Sequence, residues 1–372
     1  MDEIIDVHFH VGLAGDKWPR MGGMSSWYRQ QIVFKVFLLY ADLRPSDVCD
    51  EKLDEAILRT IRTTKLDKVV CLALDPVYDK SGRRLEQASN VWTDNSYVLS
   101  LRDRLGDKVL LGASVHPFDP NFRQRVEECV EKGAVLLKWL PSAQQFTLAD
   151  PQVADAMKFL ATVKNGKPLP LLLHTGGEYA IPSSNPAAFS NDFLTWGFWD
   201  KFFNWFRARE KRWNTPQIGE IDKNIRAALD AGTVIIFAHC GLPYFTPRFL
   251  SGVVEHSDFD PVRAYLESPG NGKWRCYADV SAICTPGRAQ FLDSVGKLPR
   301  EKILFGSDYP TPVFELYPNL KSAEQQFREV MEGRLEHLII PSGNLLDVNL
   351  EQLKIAFPGH PMFVNFSRLL QA

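Results

Sequence analysis

Short runs of apolar, largely β-branched residues recur along the chain, with amphipathic stretches between most of them. Eight have the length and composition of buried strands: EIIDVHFH (3–10), KVVCLAL (68–74), KVLLGASVH (108–116), AVLLKWL (134–140), LPLLLHT (169–175), TVIIFAHC (233–240), KWRCYADVS (273–281) and KILFGSD (302–308). Helical periodicity fills several of the gaps, as in 50–64, 121–132, 151–163, 216–231 and 287–295. Strands that are apolar nearly throughout, alternating with helices, imply a parallel sheet covered on both faces. Eight such units predict an α/β fold of the (β/α)8 TIM-barrel type. A doubly wound open sheet is the competing architecture. No G-x-G-x-x-G follows any of the runs, so a dinucleotide site has no support.

Two stretches break the regular spacing. Residues 11–49 form a long excursion after the first strand and carry the apolar helical pattern WYRQQIVFKVFLLYADL (27–43); residues 176–215 form another after the fifth. Long connections in compact folds are usually lids or interfaces. The domain expectation is therefore one barrel over 1–372 with insertions at about 11–49 and 176–215. Within the second insertion, FLTWGFWDKFFNWFRAREKRW (193–213) is dense in Trp and Phe and ends in cations. A subunit interface of a homo-oligomer or a lid over the barrel mouth accounts for it better than contact with a membrane surface.

The polar residues that interrupt these runs fall at one end. In a strand, residues two apart face the same side, so His8 and His10 point together. His116 ends the third run, Lys138 lies near the end of the fourth, His174 ends the fifth, His239 the sixth and Asp308 the eighth. The C-terminal ends of barrel strands are where active sites are built. Imidazoles and a carboxylate converging there suit a divalent transition metal: zinc first, with manganese, iron and cobalt as the other candidates. A buried lysine is costly as a bare cation. Carboxylation of Lys138 by carbon dioxide gives an anionic carbamate able to bridge two ions; the alternative is an amine that meets a substrate carboxylate or Asp308.

Composition narrows the partners. The formal net charge of −2 leaves no basic footprint for nucleic acid. Six scattered cysteines without a C-x-x-C pair suit a reduced, cytoplasmic chain. No run approaches the ~20 apolar residues that span a bilayer, and no signal-peptide pattern opens the chain. The expected partner is a small-molecule substrate.

The succession H-x-H, Lys, His, His and Asp at strand ends, from DVHFH to FGSDYP, resembles the amidohydrolase superfamily of metal-dependent hydrolases. FGSDYP and YADVSA (277–282) make the likeness closest to the branch that holds amidohydrolase-related hydrolases and non-oxidative decarboxylases. The resemblance implies His8, His10, Lys138, His174, His239 and Asp308 as the metal set. It gives Asp308 the proton shuttle and His239 a catalytic role as ligand or polarising group, with one or two ions. It also implies hydrolysis of an amide, lactone or ester by metal-activated water. The alternative is non-oxidative decarboxylation of an unsaturated or aromatic acid around one ion. His116 and Glu178 are the candidates for substrate contact.

Overall fold

A computed structural model describes residues 2–175, 180–181, 215–242, 258–268, 270–316, 325–326, 329, 334 and 339–371. The strands are β1 (Ile5–His10), β2 (Gly22–Met24), β3 (Lys68–Leu72), β4 (Val91–Thr93), β5 (Val109–Ala113), β6 (Ala134–Trp139), β7 (Leu171–Leu173), β8 (Ile235–Phe237), β9 (Cys276–Asp279) and β10 (Ile303–Leu304). Eight of them form one parallel sheet in the order β1-β3-β5-β6-β7-β8-β9-β10. The last returns to the first: Val7 N donates to Phe305 O at 3.1 Å and His10 N to Tyr309 O at 3.0 Å. The sheet is a (β/α)8 barrel, and each of the eight predicted runs contributes one strand.

Alternation explains how the barrel presents its site. Ile5, Val7, Val70, Leu72, Leu136, Leu172, Ile236 and Leu304 pack together as the interior core, floored by Phe366 and Leu369 of the helix Met362–Gln371. Lys138 lies two residues beyond Leu136, and His174 two beyond Leu172, so both continue the inward face. On β1 the pairing register shifts between Asp6 and Phe9. A bulge changes which side chains face in, and His8 and His10 join the interior that Ile5 and Val7 occupy one layer below.

The helices form as their ends dictate. Asp50–Thr63 starts with Asp50 and Glu51 and carries Arg62 in its last turn, charges that complement the helix dipole. Pro151–Phe159 begins with Pro151 behind the Asp150 cap, which accepts from Gln152 N. Two expectations are revised. The pattern at 27–43 is two helices, Ser26–Gln30 and Ile32–Tyr40, because Gln31 between them is extended (φ −68°, ψ 143°). The pattern at 287–295 is likewise two single turns, Pro286–Ala289 and Leu292–Val295.

The excursion after β1 also contains β2, which pairs antiparallel with β4 from the connection after β3. This small sheet and the two short helices stand beside the barrel mouth. The 193–213 stretch and most of the second insertion lie outside the described residues. Among the described residues no helix is long and apolar enough to cross a membrane, and the six cysteines form no disulfide.

Candidate active site

His8 and His10 leave β1 side by side, with their Nε2 atoms 3.1 Å apart. Asp308 Oδ1 lies 3.4 Å from His8 Nε2 and 3.3 Å from His10 Nε2. His239 stacks on His8 with ring centroids 5.0 Å apart, and His174 meets His239 edge-on at 5.2 Å. Lys138 is fully buried, and its Nζ donates to His8 Nε2 at 3.1 Å. The structure therefore brings six sequence-predicted residues from β1, β6 and the exits of β7, β8 and β10 into one cluster.

The exits of β8, β9 and β10 are bent for this purpose. His239, Cys240, Ala282 and Asp308 have φ values of 55°, 53°, 54° and 60°. Left-handed backbone costs a residue with a Cβ on the order of 1–3 kcal/mol and persists only where its surroundings enforce it. Carboxylates and carbonyls do so here. Asp279 Oδ1 accepts from His239 N at 3.0 Å and from Ser281 N at 3.0 Å. Asp308 N donates to His8 O at 2.7 Å. Asp6 Oδ1 accepts from His8 N and Ser307 N, both at 2.9 Å, which ties β1 to the segment that ends in Asp308.

Sequence reasoning assigned no role to Asp279, Ser281, Asp6 or Arg288. Asp279 Oδ2 accepts a hydrogen bond from His8 Nδ1 at 3.0 Å. The Ser281 hydroxyl lies 2.7 Å from His239 Nδ1 and 3.0 Å from His8 Nδ1, and it also donates to Asp279 Oδ1. With Nδ1 of His8 engaged by a carboxylate, its Nε2 carries the lone pair, and that lone pair faces His10 and Asp308. Carboxylate-backed histidines of this kind are how proteins orient metal ligands.

Charge states agree with that role. Burial lowers the His8 pKa to about 4, with the Lys138 charge adding to the effect. Burial likewise holds His174 and His239 well below the ordinary imidazole value, helped by the positive charges of Lys138 and Arg288 at His174 and of Arg288 at His239. Neutral imidazole is the ligating form. Asp308 is held well below the usual carboxylate range although burial alone would raise it; the surrounding imidazoles His239, His8 and His10 reverse that tendency. Asp279 is depressed for a similar reason, burial being outweighed by His8, His239 and Ser281.

This donor set fits a divalent cation. Two imidazole nitrogens and a carboxylate oxygen converge at mutual distances of 3.1 to 3.4 Å. His8, His10 and Asp308 form one group able to hold an ion, and His8, His239 and Asp279 form another. Asp308 Oδ2 accepts from Thr311 Oγ1 at 3.0 Å, which leaves Oδ1 turned to the histidines.

One cavity opens on the cluster. Its polar lining is His10, His174, His239, Arg288, Asp308 and Thr311. His116 is not among the lining residues. Its Nε2 meets Gln144 O at 2.8 Å, its Nδ1 accepts from Phe118 N at 3.1 Å, and its ring packs against Tyr78, Phe118 and Phe146. Glu178 lies outside the described residues.

The chain is similar to several solved structures at low identity. Amidohydrolase 2 from Bifidobacterium longum subsp. infantis is 13% identical, with 100% of this chain and 99% of that chain covered and a TM-score of 0.50. A 5-carboxyvanillate decarboxylase from Novosphingobium aromaticivorans, solved with manganese and a nitrobenzoic acid ligand, is 16% identical over 94% and 95% of the two chains, with a TM-score of 0.45. A protein named as a candidate 2-pyrone-4,6-dicarboxylic acid hydrolase from Pseudomonas putida is 16% identical over 94% and 98%, with a TM-score of 0.43. No curated protein matches the sequence. The amidohydrolase family itself matches residues 5–330, nearly the whole barrel, and the chain belongs to that family of enzymes.

Proposed function

We propose that the protein is a divalent-metal-dependent hydrolase of an amide, lactone or ester bond in a small molecule. The observation that carries the reading is the convergence of His8 Nε2, His10 Nε2 and Asp308 Oδ1 at the cavity. His8, His10, His174 and Asp308 would hold the ion, with His239 and Lys138 completing the set if a second is bound. Zinc is the proposed ion, because it suits imidazole and carboxylate donors and has no geometric demand that a tetrahedral or five-coordinate site would violate. The bound ion supplies an acidified water and polarises the carbonyl.

The chain's own residues do the rest. Asp308, ionised and oriented by Thr311, accepts the proton of the attacking water and returns it to the leaving nitrogen or oxygen. His239, whose Nδ1 donates to Ser281, keeps its lone pair on Nε2; it would bind a second ion in that form and would polarise the scissile carbonyl only as imidazolium. Arg288, buried and in the cavity lining, favours an anionic group on the substrate or product. That arginine also favours a second reading, decarboxylation of a carboxylic acid on the same scaffold. Lys138 carries the two-ion version: as a carbamate it would become a bridging carboxylate, replacing the amine now against His8.

Metal analysis tests the reading. Wild-type protein should retain divalent metal, and His8→Ala and His10→Ala should lose both metal and turnover. Full occupancy in both variants would overturn the assignment. Lys138→Ala should lose a second ion and regain it with added short carboxylic acids. Saturation of the wild type at one ion in the presence of bicarbonate rules out the bridge. Release of carbon dioxide from unsaturated or aromatic acids, without hydrolysis of esters or lactones, would establish the decarboxylase instead. A cytoplasmic location is proposed as well, from six scattered cysteines without a C-x-x-C pair; fractionation of the native host would check it.

A further inference from the structure

The cavity has two chemically distinct ends. Apart from the metal cluster, Arg288 and Thr311, its lining is apolar or aromatic. The wall comes mainly from two elements: the excursion after β1, through Met24, Tyr28, Phe34, Phe37 and Leu38, and the helix Asp50–Thr63, through Leu53, Ala56 and Ile57. These side chains also pack on one another. Tyr28, Phe34, Leu38 and Leu53 form one buried cluster, with Met24 against it. Phe37 is 8% exposed and Leu38 2%. The wall is thus built into the fold and does not consist of loose surface groups.

We infer that this chamber receives the apolar body of a substrate whose single carboxylate or reacting carbonyl lies at the histidine end. The inference rests on the proposed function only in taking the His and Asp cluster as the reacting end. Burying hydrocarbon against such a wall is favourable, whereas a second carboxylate placed there would lose its hydration with no described cation to meet it. The chain therefore selects monoanionic or neutral amphiphiles over di- and tricarboxylates. Phe34, Phe37, Leu38 and Ala56 are specificity-determining residues that the site chemistry alone does not reveal. The excursion after β1 is the device that confers this preference.

Calorimetric titration of the zinc-loaded full-length protein with acetate, butanoate, hexanoate, octanoate and citrate tests it. Affinity should climb by about fourfold for each methylene, with octanoate far ahead of citrate. Ala56→Leu fills the chamber and should move the preferred chain length downward. Leu38→Ala enlarges it and should flatten the increase per methylene. Melting temperatures confirm that each variant is folded; the wild-type series alone decides if the filled variant does not fold. A flat response to chain length, or citrate bound more tightly than octanoate, would overturn the inference. The two readings fail separately: steep chain-length dependence of binding with no turnover of octanoyl esters, octanoyl amides or the corresponding lactones removes the hydrolase and keeps the chamber. Ester turnover with flat binding does the reverse.

Discussion

At the scale of single residues, the site is a carboxylate pair with divided duties. Asp308 faces the Nε2 atoms of His8 and His10, and Asp279 stands behind His8 at Nδ1. Asp308→Asn should retain the fold and lose about 10²–10⁴-fold in turnover, since an amide accepts no proton and positioned proton transfer contributes that much. Steady-state rates beside melting curves would show it, and a variant keeping a tenth of the activity or more would refute the proton-acceptor role. Asp279→Asn should act differently. Its amide can no longer fix the His8 tautomer through the 3.0 Å contact to Nδ1, so metal affinity should fall by about 10–100-fold. Competition with a chromophoric chelator measures that directly. The first carboxylate was legible in the sequence because it ends an apolar run in FGSDYP; the second ends its run in the same way, within KWRCYADVS. What hid it was that a strand-terminal Asp reads as an ordinary exit to solvent, while the structure buries it completely. Arg288 had no comparable signal. It lies nine residues beyond Asp279, and only the turns from Ala282 to Ala289 bring it into the cavity.

At the scale of elements, the strands were legible and their ends were not. Apolar runs of seven to nine residues are recognisable as buried parallel strands, yet β7 keeps three residues, Leu171–Leu173, and β10 two, Ile303–Leu304. The β8 and β10 runs end instead in left-handed residues, His239 and Cys240 in one and Asp308 in the other. The sheet of β2 and β4 escaped notice because GGM and VWT are too short to show a period. One glycine shows how tightly these ends are packed. A Cβ on Gly306 would lie 2.9 Å from His8 Cβ and 3.2 Å from Ser281 Cβ. Only a bare backbone lets the exit of β10 pass so close to β1 and to the segment after β9. Gly306→Ala should therefore destabilise the protein by about 1–3 kcal/mol through overpacking. It should also weaken metal binding, because the side chain displaced is the proposed ligand His8. Chemical denaturation of the metal-free form separates the two effects. A variant with unchanged denaturation midpoint and unchanged metal affinity would show that the barrel yields here.

At the scale of the whole molecule, function has been placed in a barrel that keeps several ionisable groups in states they would not hold in water, and acid should expose this. His116 and His360 lie outside the His and Asp cluster, and burial lowers both pKa values to about 4. Between about pH 6.5 and 4 the unfolded chain binds protons at these histidines and the folded chain does not, so stability falls as pH falls through that window. His8 behaves the same way in the metal-free protein, as do His174 and His239, whose values lie lower still. Asp6 has the opposite sign. Burial raises its pKa to about 6, so the stability it lends is present below the unfolded value near 4 and is lost as pH rises through 6. Asp279 and Asp308, depressed in the folded state, lend stability above about pH 4 that is lost only below it. The histidines outnumber Asp6, and a displacement from 6.5 to about 4, as at His8 and His116, opposes folding by on the order of 3 kcal/mol at pH 4 relative to pH 7. Metal-free protein should therefore lose stability steeply from about pH 6.5 downward, taking up more than one proton per molecule on unfolding. Bound metal should hold the site histidines neutral and add its own binding energy to the native state. Its advantage should shrink in acid, because protons compete for those histidines once the chain unfolds or the ligands open. Denaturant melts at several pH values, with metal and with chelator, give both slopes. A metal-free slope of zero between pH 6.5 and 5 would mean that the buried imidazoles already carry protons in the native state, and would remove the neutral-ligand picture of the site.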